Sequence, residues 1–325
     1  MNTMQRMGGL FAACILACGV SSAALAAKAS VAEALKEDAV CTRCHDDTEA
    51  RPVLSIYQTR HGVRADSRTP TCQSCHGASE KHLKGDPEQS GRAATDIQFG
   101  QGGVYPPSEP ETQAGACLAC HKAGVRAHWK GSDHQSRDIV CANCHRVHVR
   151  DDPVLSKETQ PPVCFTCHKE QRAQIHRLST HPISAGKMGC SDCHNPHGST
   201  SKHLLIKRSV NETCYTCHAE KRGPFVWEHG PVVDDCTNCH TPHGSVNSAL
   251  LKQRTPWLCQ DCHSGDHANQ VDSGGNLPGR NVTTANGVFP MANAASRAQL
   301  NGRNCMNCHV LVHGSNHPGG SKYLR

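Results

Sequence analysis

The sequence predicts an elongated body of mostly coil and short α-helices, with no sheet, held open around material that is not side chain. Three observations point there. Aromatic residues make up only 4% of the chain, while cysteine and histidine reach 22 and 24 residues. No stretch alternates apolar and polar residues at period two, as a half-buried strand would. One cysteine-bearing unit recurs along the whole length, as in repeat architectures that build outward in one direction. So few large apolar side chains cannot fill a core for a chain of this size, so something else must occupy the interior.

The first 26 residues place Arg6 before an apolar stretch from Met7 to Val20 and then reach Ala24-Leu25-Ala26, the order of a secretory signal peptide cut after Ala26. The apolar stretch is too short and too rich in Ala and Ser for a membrane span. Ile15-Leu16-Ala17-Cys18 loosely resembles a lipobox, which leaves a lipid anchor at Cys18 as an alternative. The mature chain is then 27–325. In an exported protein many cysteines ordinarily mean a disulfide framework.

The spacing argues otherwise. Every cysteine beyond residue 26 belongs to a Cys-x-x-Cys pair followed at once by histidine. The ten copies are Cys41, Cys44 and His45; Cys72, Cys75 and His76; Cys117, Cys120 and His121; Cys141, Cys144 and His145; Cys164, Cys167 and His168; Cys190, Cys193 and His194; Cys214, Cys217 and His218; Cys236, Cys239 and His240; Cys259, Cys262 and His263; and Cys305, Cys308 and His309. Two thiols three positions apart form thioethers to the two vinyl groups of a haem, and the next residue brings an imidazole to the iron from one face. Zinc ribbons and redox disulfides also use Cys-x-x-Cys, but neither needs the histidine that follows every copy here. The cofactors implied are ten c-type haems, and the fold class is a multihaem cytochrome c.

Fourteen histidines remain for the opposite faces of the irons. Of the three methionines in the mature chain, Met188, Met291 and Met306, the last lies inside a haem loop and cannot reach across the porphyrin. Bis-histidine ligation is therefore expected throughout, and with it low reduction potentials. The order His134, Cys141, His145, His148, Cys164 recurs as His181, Cys190, His194, His197, Cys214 and as His229, Cys236, His240, His243, Cys259, with a stretched copy from His61 through Cys72, His76 and His82 to Cys117. These are tandem two-haem modules over about 61–121, 134–168, 181–218 and 229–263, with haems 1 and 10 at the ends. The pattern selects His61, His82, His134, His148, His181, His197, His229 and His243 as distal ligands, and leaves His267, His313 and His317 competing for the rest. His128, His176 and His203 fall outside the frame and are expected on the surface.

His148, His197 and His243 each stand three residues after the proximal histidine of their own motif, which on a helical turn is the same side. They are expected to be barred from their own irons and to serve those of the following motifs, at His168, His218 and His263. His313, four residues after His309, is barred likewise from the tenth. Helical turns are expected over the motifs, Ser156 to Thr159, Lys169 to Ser179 and Ala219 to His229, with turns at Asn195-Pro196-His197-Gly198 and Thr241-Pro242-His243-Gly244. The Gly-, Asn- and Ala-rich segment from Gln270 to Arg303 is expected as a loop.

The formal charge of +6 falls to about +5 once Arg6 is removed, and ten haems, each with two propionates against one net positive ferric centre, bring the whole to roughly −5. Basic residues are scattered, which excludes a nucleic-acid interface.

The runs Cys190-Ser-Asp-Cys-His-Asn-Pro-His-Gly198, Cys214-Tyr-Thr-Cys-His-Ala-Glu-Lys-Arg-Gly-Pro224, Trp227-Glu-His229 and His313-Gly-Ser-Asn-His-Pro318 resemble the DmsE/MtrA family of periplasmic decahaem cytochromes. The resemblance implies a non-enzymatic electron conduit in the periplasm, associated with the outer membrane. Its implied partners are an outer-membrane β-barrel porin around it, a periplasmic or inner-membrane cytochrome on one side, and an extracellular multihaem cytochrome or terminal reductase on the other. The family's distal histidines match the eight that the repeat selects, and the chain departs from the family over Gln270 to Arg303. A soluble periplasmic shuttle and a multihaem reductase with one open iron are the alternative functions. No proximal histidine is replaced by lysine, as in multihaem nitrite reductases.

Overall fold

The computed structural model describes residues 31–49, 52–63, 68–85, 91–100, 104–263, 281–284, 287–290 and 304–324. The signal peptide and His267 lie outside them. Ten short α-helices occur among the described residues: α1 (Val31–Thr42), α2 (Cys72–His76), α3 (Glu80–Lys84), α4 (Pro110–Leu118), α5 (Cys141–Cys144), α6 (Gln160–Cys164), α7 (Lys169–Gln174), α8 (Val210–Cys214), α9 (Gly230–Asp234) and α10 (Trp257–Gln260). Apart from one pair of short strands, the rest of the described residues are coil, turns and short 3-10 segments, as expected for this fold class. No helix among the described residues is long and apolar enough to cross a membrane.

The motifs alternate between two local forms. In the odd-numbered motifs a helix runs into the first cysteine, which sits at or near the C-terminal end of α1, α4, α6, α8 or α10. Prolines open α4 and α6, where a missing N–H costs nothing, and the Ser209 hydroxyl caps α8 by accepting from the Glu212 N–H. In the even-numbered motifs the chain arrives extended, at Thr71, Val140, Gly189, Asp235 and Asn304, and first turns at the cysteine. Four of these turns are closed by the residue just before the second cysteine. Ser74, Asn143, Asp192 and Asn307 each accept the backbone N–H of the residue before the first cysteine, at 2.7 to 3.0 Å.

Two expected helices are placed differently. Residues 156–159 are a turn, and the helix begins after them at α6, because Pro161 and Pro162 suit a first helical turn and no later position. The helix expected over Ala219 to His229 is one 3-10 turn, Ala219–Lys221, cut short by Gly223 in the left-handed region and Pro224. Within the segment expected as a loop, β1 (Asn281–Thr284) pairs antiparallel with β2 (Gly287–Pro290), Val282 opposite Phe289. That two-stranded ladder, which the expectation of no sheet did not include, falls between the ninth and tenth motifs in sequence; elsewhere among the described residues the only strand-like pairings are isolated bridges.

Two of those bridges join successive modules in register. Ser179, two residues before His181, exchanges backbone hydrogen bonds with Ser245, two residues after His243. Trp227, two before His229, does the same with Ser315, two after His313. The chain therefore advances as a row in which each unit clasps the next. Apart from prolines and glycines, only four apolar residues are buried among the described residues, Ala114, Trp129, Val140 and Ile175. Side chains alone do not make a core here.

The clasp depends on a glycine that follows the late histidine. Gly198 (φ +110°) and Gly244 (φ +147°) turn where the preceding module's backbone passes, and a Cβ on either would collide with the carbonyl oxygen of His128 or Gln174. Gly244→Ala is expected to destabilise the protein by more than about 1 kcal/mol, measured as a lowered thermal midpoint, since both the φ angle and the collision oppose it.

Candidate functional site: paired histidines along an internal cavity

The proximal histidines of the even motifs are held by their Nδ1 atoms. His76, His194, His240 and His309 donate to the carbonyl oxygens of Ile97 (3.1 Å), His203 (2.7 Å), Ala249 (2.7 Å) and Lys322 (2.5 Å). His145 donates instead to Asp152 Oδ2 at 2.7 Å. To present two of these carbonyls the chain enters the left-handed region at His203-Leu204 and Ala249-Leu250, a strained conformation for residues with a Cβ. With the proton fixed on Nδ1, the Nε2 lone pair faces the interior.

Opposite nine of the ten proximal rings stands a second histidine ring. The pairs, with their ring-centre separations, are His45 and His82 (6.2 Å), His61 and His121 (5.9 Å), His76 and His148 (6.2 Å), His134 and His168 (6.2 Å), and His145 and His197 (6.0 Å). They continue with His181 and His218 (6.4 Å), His194 and His243 (6.0 Å), His229 and His263 (6.1 Å), and His240 and His313 (6.1 Å). Two imidazole nitrogens each about 2 Å from one metal ion place their ring centres about 6 Å apart. Several second rings are oriented in the same way as the first. His82, His134, His148, His181 and His229 donate from Nδ1 to the carbonyls of Ala93, Pro196, Val53, Pro242 and Val312 at 2.7 to 3.0 Å.

All eight histidines selected by the repeat stand in such pairs, and His313 is the ninth. The exclusion from helical geometry holds: His148, His197, His243 and His313 do not face the histidine of their own motif. Their expected assignment to the following motif does not. His148 faces His76 and not His168, His197 faces His145 and not His218, and His243 faces His194 and not His263. These late histidines reach back two motifs: backbone bridges at Ser245 and Ser315 fold the His243 and His313 loops onto the preceding unit, and side-chain hydrogen bonds from Ser55 to the His148 carbonyl and from Asn195 to the Val125 carbonyl hold the other two, while His82 reaches back one motif to His45. The early histidines His61, His134, His181 and His229 serve the odd-numbered motifs ahead of them. His317 is exposed, and its Nδ1 accepts from the Gly319 N–H, the reverse of the arrangement at the paired rings. His128, His176 and His203 are exposed, as expected.

The thiols follow the same alternation. First cysteines meet within the pairs Cys41 and Cys72, Cys117 and Cys141, Cys164 and Cys190, Cys214 and Cys236, and Cys259 and Cys305. Second cysteines approach across the other junctions, Cys75 to Cys120, Cys144 to Cys167, Cys193 to Cys217 and Cys239 to Cys262. The five odd-to-even junctions thus bring two attachment points into contact, and at the four even-to-odd junctions two second cysteines lie close enough to feel each other's charge. All twenty cysteines are unbridged. Burial pushes Cys72 up to about 12, with the Asp38 hydrogen bond adding to it.

Three buried polar side chains that the spacing did not reveal set these junctions. Asp38 accepts from the Cys72 N–H (3.0 Å), Gln160 from the Ser191 N–H (3.1 Å) and Asn211 from the Cys236 N–H (2.7 Å). Each lies on the helix leading into an odd motif and grips the start of the next even one. The only trace in the sequence is a polar residue three or four places before the first cysteine.

Six of the pairs, from His45 and His82 to His194 and His243, line a continuous cavity of about 3800 Å³ whose walls run from Val40 to His243. Its surroundings suit haem. Burial holds His76, His121, His197, His243 and His313 below the usual histidine range, so these imidazoles are neutral, the form that binds iron. Arg126 Nε and Trp129 Nε1, two of the cavity-wall donors, are buried without a protein acceptor, which fits the carboxylates of a haem edge.

The family described as a doubled CXXCH motif matches residues 181–223 and 229–268, and that described as cytochrome c-type protein NrfB-like matches residues 72–161. The chain is 45% identical over 290 residues to the multiheme cytochrome MtrA of Shewanella baltica (strain OS185), covering 88% of this chain and 80% of that protein. It is 29% identical over 154 residues to the cytochrome c-type protein NrfB of Haemophilus influenzae, covering 41% of this chain and 65% of that protein.

Proposed function

The chain belongs to the MtrA family of multihaem cytochromes, electron-transfer proteins that carry c-type haem, and on that premise we propose that it is a ten-haem conduit across the outer membrane. It would sit on the periplasmic side within a β-barrel porin, receive electrons from or give them to a periplasmic or inner-membrane cytochrome, and exchange them outside with an extracellular multihaem cytochrome or terminal reductase. The observation that carries this reading is the proximity of attachment points along the row, in contact at five junctions and within electrostatic reach at the other four. An unbroken row of short steps is what a wire needs. Spanning a bilayer with its headgroups requires ~40 to 45 Å, and a row of ten is ample for it.

Haem, when bound, supplies one-electron chemistry at iron. The residues supply attachment, ligation and spacing. The Cys-x-x-Cys thiols would anchor each haem, and the nine histidine pairs would hold nine of the irons, leaving them no position for a substrate. His267 is our ligand for the tenth. Because each late histidine belongs to one motif and serves the iron of another, neighbouring sites are cross-braced and their spacing cannot drift.

Two experiments test this reading. His243→Met is expected to keep all ten haems attached and to raise the potential of the haem at His194, leaving those at His240 and His263 unchanged; a change at either of the latter would refute the pairing. Expressed with a candidate porin in a host that matures c-type haem, the protein is expected to copurify with the barrel and to carry ten haems by intact mass. Consistent recovery alone in the soluble periplasm would make it a shuttle.

A further inference from the structure

The bis-histidine reading gives each iron two imidazoles, and the donor strength of an imidazole depends on what its Nδ1–H faces. A main-chain carbonyl polarises the ring modestly. A carboxylate draws the proton harder, makes the ring a stronger donor to iron and places a negative charge nearby, so both effects favour the ferric state.

The His145 ring differs from its counterparts in the other even-numbered motifs in this respect. Its Nδ1 donates to Asp152 Oδ2 at 2.7 Å, and the Asp152 side chain is only 12% exposed. Asp152 is fixed in place, because its Oδ1 accepts from the backbone N–H groups of Arg146 (3.2 Å) and Val154 (3.4 Å). Across the same site the His197 Nδ1 is buried without a protein acceptor, so nothing on the distal side offsets the carboxylate. His45 also meets a carboxylate, Glu49 at 2.8 Å, but with side chains 36% and 33% exposed that pair is screened by solvent.

We propose that Asp152 is a potential-setting residue, which through His145 holds the haem of the fourth motif at a lower reduction potential than a carbonyl acceptor would. The inference rests on the bis-histidine reading above. In each transfer into this site one electron leaves a neighbouring ferrous iron, which becomes ferric, and reduces the iron between His145 and His197 from ferric to ferrous. No proton is released, because the Nδ1–H stays shared with Asp152. Such a site is an uphill step within the row, which an electron crosses without resting there.

The test is a potentiometric titration of the complete haem-loaded protein followed by electron paramagnetic resonance. His197→Met, which changes the other ligand of the same iron, marks which component belongs to it. Asp152→Asn keeps a neutral acceptor in the same place and is expected to shift that one component to higher potential, with the other nine unmoved and ten haems retained by intact mass. Asp152→Glu is expected to keep it near the wild-type value. Ten low-spin irons in the wild type with no shift in Asp152→Asn, or a shift in a component other than the marked one, would overturn the assignment. If Asp152→Asn loses a haem, Asp152→Glu decides: ten haems with the marked component still low supports the role, and ten haems with it raised overturns it. Fewer low-spin irons in the wild type would instead defeat the bis-histidine reading itself.

Discussion

Iron in a haem accepts a ligand on each face, and a Cys-x-x-Cys-His motif provides only one of them. The backbone that leads into the second cysteine has already placed its imidazole on the near side, so the far side must be closed by a residue from elsewhere in the chain. The rest of the molecule follows from that constraint. A distal histidine has to be delivered from another module, its ring held by a fixed Nδ1 partner, and the loop carrying it clasped to the unit it serves. The bridges between Ser179 and Ser245 and between Trp227 and Ser315 lie two residues from paired histidines for that reason.

The same constraint accounts for the scarcity of ordinary packing. With four buried apolar residues besides prolines and glycines among those described, the polypeptide holds its shape by short-range hydrogen bonds, caps and turns around an interior shaped for macrocycles. Helices are short, from 4 to 12 residues among those described, and seven of the ten carry a cysteine of a motif. The strained pairs His203-Leu204 and Ala249-Leu250 are tolerated because they aim a carbonyl at a proximal imidazole.

Much of this was legible in the residue order. The Cys-x-x-Cys-His motifs give the attachment points and proximal ligands directly, and the recurrence of early and late histidines picked out eight partners that the fold brings opposite them. Local geometry also said which irons His148, His197 and His243 could not serve. It could not say which they do, because the choice between the iron ahead and the iron two motifs behind depends on hydrogen bonds between residues far apart in sequence. Asp38, Gln160 and Asn211 escaped notice for a related reason. A lone polar residue before a motif is unremarkable until the N–H it meets, more than 20 residues on, is known.

From the fourth motif onward, late histidines brace each even-numbered site to the one two motifs behind. An experimental density map of the haem-loaded protein tests it most directly at His148. The account predicts one iron between His148 and His76, with His134 opposite His168 on another. An iron between His148 and His168 would contradict it.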